Sequence, residues 1–289
     1  MEKSLKNRVA IIAGAGRGIG KAMALAFARE EARLILAART MDQLAAVASE
    51  CRQAGGEALP VVADMADWQQ VQNLITASIK EFGQVDILVN SAGVYGPIGP
   101  TADVDLTAWT KAVEINLFGT LYLCRAVMSH MMERKQGKII LLGGGGATTP
   151  LPNFSSYAAS KAGVARLADT LAEELKNYNI QVNVIAPGLV DTGLQDEVLA
   201  AGSRAGALFE KIKQARETGA GAVSPEIAAS LAVFLASGAS GKLTGKLIAA
   251  PYDPWREWES KADRLNATPL YTIRRLDPFT IKPLIKDLV

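Results

Sequence analysis

The chain has 289 residues, of which 49% are hydrophobic and 21% are charged, and its formal net charge is +2. This length accommodates one large domain with a well-buried core, or at most two small ones, and the composition is that of a globular protein. The small net charge gives no electrostatic argument for nucleic acid or for an acidic membrane surface as a partner. No apolar run reaches the roughly 18 residues that span a bilayer.

The cysteines and the first residues bear on the cellular compartment. Cys51 and Cys124 are the only cysteines and lie far apart, so the chain has neither a disulfide framework nor metal-ligand spacing. The charged start leads into the apolar stretch Val9–Ala13, which runs directly into glycines. That pattern is typical of a buried strand rather than a signal peptide. We therefore predict a cytoplasmic protein with two buried thiols and no metal site.

Short apolar runs recur along the chain, separated by longer segments with helical spacing. The apolar runs are Val9–Ala13, Leu34–Ala38, Leu59–Val62, Ile87–Asn90, Lys138–Leu142, Gln181–Ala186 and Lys246–Ala250. The helical segments include Lys21–Glu30, Asp42–Ala54, Trp68–Phe82, Leu106–Lys135 and Tyr157–Asn177. Because the apolar runs lack polar alternation, we expect each to be a strand buried on both faces. The alternation predicts a doubly wound α/β fold with seven parallel strands, helices on both faces and ligands at the carboxyl ends of the strands.

Two regions interrupt this alternation. Residues 189–224 show only weak helical patterns, around Asp196–Ala200 and Ala207–Arg216. A long connection after a strand is often a lid or a substrate loop, and we predict one here. The tail follows the last strand, so we predict a main domain over residues 1–250. Residues 251–289 are then an arm packed on that domain or on a neighbouring subunit.

A glycine-rich turn, Gly-Ala-Gly-Arg-Gly-Ile-Gly over residues 14–20, follows the first strand and opens the first helix. Glycines there let the backbone turn tightly and approach a pyrophosphate, which the helix N-terminus stabilises. The alternative is a tight strand-to-helix turn without a ligand. The strand–turn–helix context that the motif requires is present, so we predict a dinucleotide site in the main domain.

The end of the second strand bears on the choice between NAD and NADP. An NAD site usually places Asp or Glu there to hold the ribose hydroxyls. Here Ala38 occupies that place, Arg39 follows it, and Arg17 projects from the glycine turn. Two guanidinium groups near one ribose suit a 2′-phosphate, which arginine binds with paired, charge-assisted hydrogen bonds. Solvated surface arginines are the alternative, but the missing acid also favours NADP(H), which we predict.

Further motifs follow in a fixed order. They are Asp64 after the third strand, Asn90-Ser91-Ala92-Gly93 at the end of the fourth, Asn116, Tyr157-x-x-x-Lys161, and Pro187-Gly188 with Thr192. Together with the glycine turn, in which Ala13 stands where Thr is usual, this series resembles the short-chain dehydrogenase/reductase family over roughly residues 5 to 250. The resemblance implies a Rossmann-type fold, NADP(H)-dependent chemistry on a CH–OH or C=O group, and a homodimer or homotetramer.

The motifs and the resemblance together give a set of candidate ligand-binding residues. The predicted cofactor-binding residues are Gly14, Arg17, Gly18, Ile19, Gly20, Arg39, Asp64, Met65, Asn90, Ala92, Gly93, Tyr157, Lys161, Pro187, Gly188, Val190 and Thr192. The predicted substrate-binding residues are Tyr95, Thr148, Phe154 and Leu189. Few charges lie among the latter, which suggests an apolar or neutral carbonyl substrate.

Tyr157 and Lys161 suit the chemistry of carbonyl reduction, which requires a proton donor at the oxygen while hydride arrives at the carbon. A tyrosine with a pKa of about 10 is a poor partner for reversible proton transfer near neutrality. Lys161 lies one helical turn away on the same face, and its charge should lower the pKa of Tyr157. The resemblance implies that Lys161 also holds the nicotinamide ribose and that Asn116 positions a proton-relaying water. A lone Tyr-x-x-x-Lys would more simply be an amphipathic helix face, but the other motifs argue against that.

The sequence departs from the family at one position of the active site. The family has a serine about thirteen residues before the tyrosine, and this serine hydrogen-bonds the substrate oxygen. Residues 143–146 are all glycine. Loss of such a donor can cost about 10²–10³ in rate. Three explanations stay open: Thr148 or Thr149 supplies the hydroxyl across a permissive loop, a substrate hydroxyl or water supplies the bond, or the chain binds NADP and catalyses little.

The predicted function is an NADPH-dependent ketone or aldehyde reductase, or the reverse alcohol dehydrogenase. The alternative is an NADP-binding regulatory or partner subunit with little turnover.

Overall fold

A computed structural model describes residues 3–275. Within that range seven strands form one parallel sheet, in the order β3-β2-β1-β4-β5-β6-β7. The strands are β1 (Val9–Ala13), β2 (Arg33–Ala38), β3 (Glu57–Val62), β4 (Ile87–Asn90), β5 (Gly137–Leu142), β6 (Ile180–Ala186) and β7 (Leu247–Ala249). The strand order reverses between β1 and β4, where such sheets bind ligands. The predicted doubly wound fold is confirmed.

Helices cover both faces of the sheet. Those of residues 3–275 are α1 (Gly18–Arg29), α2 (Met41–Gln53), α3 (Trp68–Phe82), α4 (Leu106–Val113), α5 (Gly119–Arg134), α6 (Ser155–Glu174), α7 (Gly193–Ala201), α8 (Ala207–Thr218), α9 (Pro225–Ala236) and α10 (Ala262–Asn266). One apolar core packs α1, α2 and α9 on the sheet, and a second packs α3, α5 and α6 on the opposite face. Helix α9 was not among the predicted segments because it is apolar on most sides. Its sequence signals are the N-cap Ser224 and the proline after it.

The single long helix predicted over Leu106–Lys135 is divided. A π-helical turn, Glu114–Phe118, separates α4 from α5 and carries Asn116. Such turns are rare and concentrate at functional sites. Hydrophobic periodicity does not reveal the extra residue in the turn, so the sequence predicted one continuous helix.

Strand β3 differs from the prediction that every strand is buried on both faces. Its residues are half-buried or exposed, and Val62 keeps 47% of its surface accessible. The reason is position: β3 is the edge of the sheet, as is consistent with Pro60 within it. The central strand β1 is fully buried, as predicted.

The two weak helical patterns in residues 189–224 correspond to α7 and α8. A bridge between Val190 and Val223 closes the base of this segment. Its apolar residues pack with those around Tyr157 into a third cluster, separate from the two cores. The segment thus covers the carboxyl end of the sheet.

The tail packs on the main domain as far as it is described. Trp255 and Trp258 are each 4% exposed and belong to the first core. The Leu247 N–H donates to the Tyr271 carbonyl oxygen at 2.7 Å, so the tail lies along the outer edge of β7. Residues 276–289 of the predicted arm lie outside the described residues, and the division at residue 250 stays a prediction.

Two further sequence-based points concern the cysteines and membrane segments. Cys51 and Cys124 are buried and not paired with each other, as predicted. Burial raises the pKa of the Cys51 thiol to about 11 and that of Cys124 to about 12, so both are poor nucleophiles. In residues 3–275 the helices are too short or too polar to cross a bilayer.

Candidate active site

A cavity of about 380 Å³ opens at the carboxyl ends of β1, β2 and β4. From the predicted cofactor set, its wall contains Gly14, Arg17, Gly18, Ile19, Arg39, Asp64, Met65, Ala92, Gly93 and Thr192. The wall also contains Gly16, Ala38, Thr40, Gln43, Ala63, Ser91, Val94, Ile115, Gly193 and Leu194. None of these ten residues was predicted to bind the cofactor. Thr40 and Gln43 could have been predicted to line the site, because they lie at the start of the helix that follows Arg39.

The glycine turn forms a cradle of bare backbone. A Cβ on Gly14 would lie 2.6 Å from the Ala92 nitrogen, and a Cβ on Gly20 would collide with the Gly14 carbonyl oxygen. Gly14 and Gly18 adopt φ angles of +78° and +57°, which favour glycine. The side chain of the N-cap residue Arg17 does not cap α1, so the first N–H groups of the helix are available to a phosphate. These features fit a dinucleotide pyrophosphate.

The cavity end at β2 fits the adenosine half of such a cofactor. Ala38 occupies the place where a carboxylate would exclude a 2′-phosphate, and Arg39 is exposed beside it. Thr40 is the N-cap of α2 but makes no side-chain capping bond there. A cation and an uncapped helix N-terminus therefore lie next to each other at this end.

Arg17 lies in the cavity wall but its guanidinium faces α7. A Cβ on Gly193 would lie 2.8 Å from Arg17 Nη1 and 3.7 Å from a carboxylate oxygen of Asp196. The charge of Arg17 also favours the ionised form of Glu197, although burial raises the pKa of Glu197 on balance. Acidic residues of α7 thus attract Arg17, and its predicted role beside Arg39 stays a prediction.

Lys161 and Asn116 meet behind Gly93. A Cβ on Gly93 would lie 3.1 Å from Asn116 Oδ1 and 3.4 Å from Lys161 Nζ. Because Gly93 lines the cavity, only a bare backbone separates the cavity from these two polar atoms. Lys161 Nζ donates to the Leu142 carbonyl oxygen at 2.8 Å.

Asn116 is held by a pair of backbone bonds. Its Oδ1 accepts from the Val94 N–H at 2.9 Å, and its Nδ2 donates to the Val94 oxygen at 2.8 Å. Nδ2 also donates to the Ser160 hydroxyl at 3.0 Å. The π-helical turn places the carboxamide against this loop. Asn116 therefore ties the loop after β4 to α6.

Tyr157 lies in the first turn of α6 and is 8% exposed. Lys161 Nζ lies 5.7 Å from the centroid of its ring. The ring of Tyr95 packs edge-on against it at 4.8 Å, and its hydroxyl end faces Gly144. The structure thus brings Tyr157, Lys161 and Asn116 to one place, although neither Tyr157 nor Lys161 is part of the cavity wall.

The pKa of Tyr157 differs from the expectation. Burial raises it above its ordinary value, and the neighbouring Tyr95 raises it further. Burial also lowers the pKa of Lys161 to about 8. The predicted net lowering of the tyrosine pKa is therefore wrong. The physical reason is that desolvation penalises both charged forms, while the ammonium hydrogen-bonds to Leu142.

Three of the four predicted substrate residues share one apolar cluster with Tyr157. Tyr95 and Phe154 are buried in it, and Leu189 packs against it. The Tyr95 ring lies 5.1 Å from that of Phe154, and its hydroxyl donates to Gln195 Oε1 at 3.5 Å. The segment of residues 189–224 thus contacts the apolar residues that pack around Tyr157.

Thr148 lies elsewhere. Both Thr148 and Thr149 are exposed, and within residues 3–275 neither hydroxyl bonds to Tyr157. The glycine run forms a tight turn, in which the Ala147 N–H donates to the Gly144 oxygen at 3.2 Å. This turn directs the threonines outward, so the structure does not bring the substitute hydroxyl to the site.

The remaining predicted cofactor residues shape the site from behind the cavity wall. Asn90 donates to the Thr120 hydroxyl at 2.8 Å and accepts from the Ala92 N–H at 3.1 Å. This anchors the loop after β4 to α5. Gly20, Pro187, Gly188 and Val190 also lie outside the cavity wall. A Cβ on Gly188, which adopts a φ of +82°, would touch Pro251 and Val223 at 3.0 Å.

Comparison with known proteins places this arrangement in a family. The family model described as short chain dehydrogenase matches residues 8–202. The 3beta-hydroxysteroid dehydrogenase 1 of Eggerthella lenta is 35% identical over 250 residues, which cover 86% of this chain and 94% of that relative.

Solved structures agree. NAD⁺-bound xylitol dehydrogenase matches with a TM-score of 0.80 at 25% identity, over 86% of this chain and 98% of that one. A variant of actinorhodin polyketide ketoreductase with NADPH matches with a TM-score of 0.78 at 29% identity, over 86% and 97%. The chain therefore belongs to the short-chain dehydrogenase family, oxidoreductases that use NAD(H) or NADP(H).

Proposed function

We propose that this protein is an NADPH-dependent oxidoreductase that reduces a ketone or aldehyde, or oxidises the corresponding alcohol. Tyr157 is the acid and base, Lys161 its electrostatic partner and ribose clamp, and Asn116 the residue that positions a relay water. The observation that supports this most is that the side chains of Lys161 and Asn116 come close together beside Gly93. There Lys161 Nζ and Asn116 Oδ1 lie within 3.4 Å of the missing Cβ of a cavity-wall residue.

Each side chain has a defined task. When bound, NADPH supplies the hydride that reduces the carbonyl carbon. Tyr157 donates its proton to the carbonyl oxygen, and the charge of Lys161 has to offset the rise that burial causes in the pKa of the tyrosine. Lys161, whose pKa is about 8, is mostly charged at pH 7 and stabilises the phenolate that remains. In the oxidative direction the same groups act in reverse.

Local residues support NADP(H) over NAD(H). Similar folds bind either cofactor, as the NAD⁺-bound and NADPH-bound neighbours illustrate. Ala38 offers no carboxylate to a ribose hydroxyl, while Arg39 and the uncapped N-terminus of α2 offer positive charge. A 2′-phosphate would compensate that charge.

Arg39→Asp is expected to weaken NADPH binding by about 10- to 100-fold, because a charge-assisted pair is lost and a repulsive charge replaces it. NADH binding should change by less than about threefold, because NADH has no 2′-phosphate. Titration calorimetry with both cofactors checks this. Arg39→Gln is the matched variant without the added negative charge. Its NADPH affinity should lie between that of the wild type and that of Arg39→Asp. Equal losses for NADPH and NADH would refute the cofactor assignment.

The substrate is proposed to be an apolar or neutral carbonyl compound. Tyr95, Phe154 and Leu189 give the region above Tyr157 an aromatic and aliphatic surface. A charged substrate would leave its ionic group without a partner among these residues. Cyclic and long-chain ketones are therefore the first compounds to assay.

A second candidate, an NADP-binding partner subunit with little turnover, is favoured by the glycine at position 144 and by the burial of Tyr157. NADPH deuterated at the 4-pro-S position separates the two functions when it is incubated with a panel of ketones. The enzyme should transfer deuterium to the product alcohol. Tight NADPH binding without transfer to any ketone would favour the partner subunit.

We also propose a cytoplasmic location and an assembly of two or four identical chains. Both rest on the family resemblance and on the character of the sequence. The tail along β7 is proposed to be an arm attached to the catalytic domain, since its two tryptophans join the first core.

A further inference from the structure

Gly144 is the residue thirteen positions before Tyr157, where the family resemblance leads one to expect a serine. A Cβ on Gly144 would collide with the Tyr157 hydroxyl oxygen, and it would lie 3.0 Å from Cζ and 3.3 Å from Cε1 of the same ring. Real Cβ atoms almost never approach other atoms this closely. The hydroxyl end of Tyr157 therefore occupies the volume that a side chain at position 144 would need.

The glycine loop is fixed on two sides, so it has little freedom to retreat. The Gly143 N–H donates to the Ile185 carbonyl oxygen on β6 at 2.9 Å. Gly146, which adopts a φ of +91°, rests on the first turn of α6, where its missing Cβ would lie 2.8 Å from Ala158 Cβ. The loop therefore cannot move away to make room for a side chain at position 144 without disturbing its contacts with β6 and α6.

Tyr157 is also held from the other side. The ring of Tyr95 packs against it at 4.8 Å, and Tyr95 is in turn backed by Phe154 at 5.1 Å. All three residues are more than nine-tenths buried. Because the cluster is closely packed, the tyrosine ring cannot swing away from Gly144 without displacing its neighbours.

We propose that Gly144 is a positioning residue, whose missing side chain lets the Tyr157 hydroxyl reach its working place. This inference rests on the proposed function. It implies that a serine at position 144 impairs the site instead of restoring a lost donor. The second contact to the substrate oxygen then comes from water or from the substrate itself.

Gly145 provides a matched control one residue away. Among residues 3–275, no heavy atom lies within 4 Å of the position that its Cβ would take, and the residue is exposed. Its φ is not in the left-handed region, so an L side chain is compatible with the backbone. Alanine or serine at position 145 therefore adds the same atoms without touching Tyr157.

The experiment compares Gly144→Ala and Gly144→Ser with Gly145→Ala and Gly145→Ser. Ketone reduction by the two 144 variants should show kcat lowered by at least about 10-fold and up to about 100-fold, because the proton donor is displaced by an ångström or more. The two 145 variants should stay within about twofold of the wild type. Thermal unfolding and NADPH affinity identify any variant that merely fails to fold. A Gly144→Ser enzyme as active as the wild type would overturn the proposal.

A second readout does not depend on turnover. The ultraviolet titration of Tyr157 is isolated by subtracting the curve of Tyr157→Phe from that of each protein, since the chain has six tyrosines. Displacement of the hydroxyl from its buried position in the 144 variants should change the pKa of Tyr157, because burial and the contact with Tyr95 set its raised value. An unchanged titration in these variants would overturn the positioning role even if the wild type reduces no carbonyl. Absence of turnover with a shifted titration would instead refute only the proposed function.

Discussion

Tyr157→Phe is expected to lower kcat for carbonyl reduction by about 10³-fold or more. The substitution removes the proposed proton donor, and general acid catalysis contributes about 10²–10⁴-fold. The phenyl ring should keep its packing against Tyr95 and its place in the apolar cluster. Steady-state kinetics and calorimetric titration with NADPH check the result. NADPH affinity should change by less than about threefold, because the phenyl ring keeps its packing and Lys161, the proposed ribose clamp, is unchanged.

Tyr252→Phe is the matched control for this experiment. It removes the same hydroxyl from a residue that is 76% exposed and is not part of the cavity wall. Its kcat should equal that of the wild type. Retention of more than about one tenth of the wild-type kcat by Tyr157→Phe would contradict the assignment of Tyr157 as the acid. A parallel loss of NADPH affinity would instead show that the substitution disturbs the cofactor site.

The sheet was predictable because its signals are local. A buried parallel strand is a short apolar run, and the glycine turn lies between one such run and a helix. The burial of an individual strand could not be predicted in the same way. Whether β3 is central or at the edge depends on the strand order, which no window of sequence contains. Pro60 was the available hint, since proline is disfavoured in central strands.

The site residues were identifiable by type and spacing, but their mutual arrangement was not. Asn116 was found, while the π-helical turn that presents it leaves no periodic trace. The direction of the Tyr157 pKa was wrong because spacing predicts a neighbouring charge but not the burial of both groups. Likewise, the absence of serine at position 144 was visible in the sequence. That Tyr157 fills the resulting space is a contact between distant elements of the fold.

Lys161→Met is expected to lower kcat by at least about 10²-fold and to stabilise the folded protein at pH 7. The loss of activity follows from removing the cation that stabilises the phenolate and holds the ribose. The gain in stability follows from burial, since Lys161 is 5% exposed and its pKa falls from 10.5 to about 8. Keeping it charged in the fold costs on the order of 3 kcal/mol. Loss of the bond to Leu142 offsets about 1 kcal/mol of the gain.

The pH dependence of stability tests the same cost. Between pH 8 and 10.5 the unfolded chain binds a proton at Lys161 that the folded protein has released. The free energy of unfolding of the wild type should therefore gain a rising contribution from this group as pH increases through that range. Lys161→Met should lack this contribution while being more stable than the wild type at pH 7. Denaturant unfolding at several pH values measures both.

Lys138→Met separates the energetic effect of burying an amine from the loss of catalysis. Burial lowers the pKa of Lys138 to about 8 as well, but this residue lies in β5 away from the cavity. It donates to the Gly241 oxygen at 2.7 Å and to the Ser240 hydroxyl at 3.1 Å. Its replacement should leave kcat within about twofold and change the pH dependence of unfolding about as much as Lys161→Met does, because both lysines have a pKa of about 8 in the folded protein. A Lys161→Met enzyme with the wild-type kcat would refute the catalytic role of the buried ammonium. A variant less stable than the wild type at pH 7 would instead refute the stated cost of burying that ammonium.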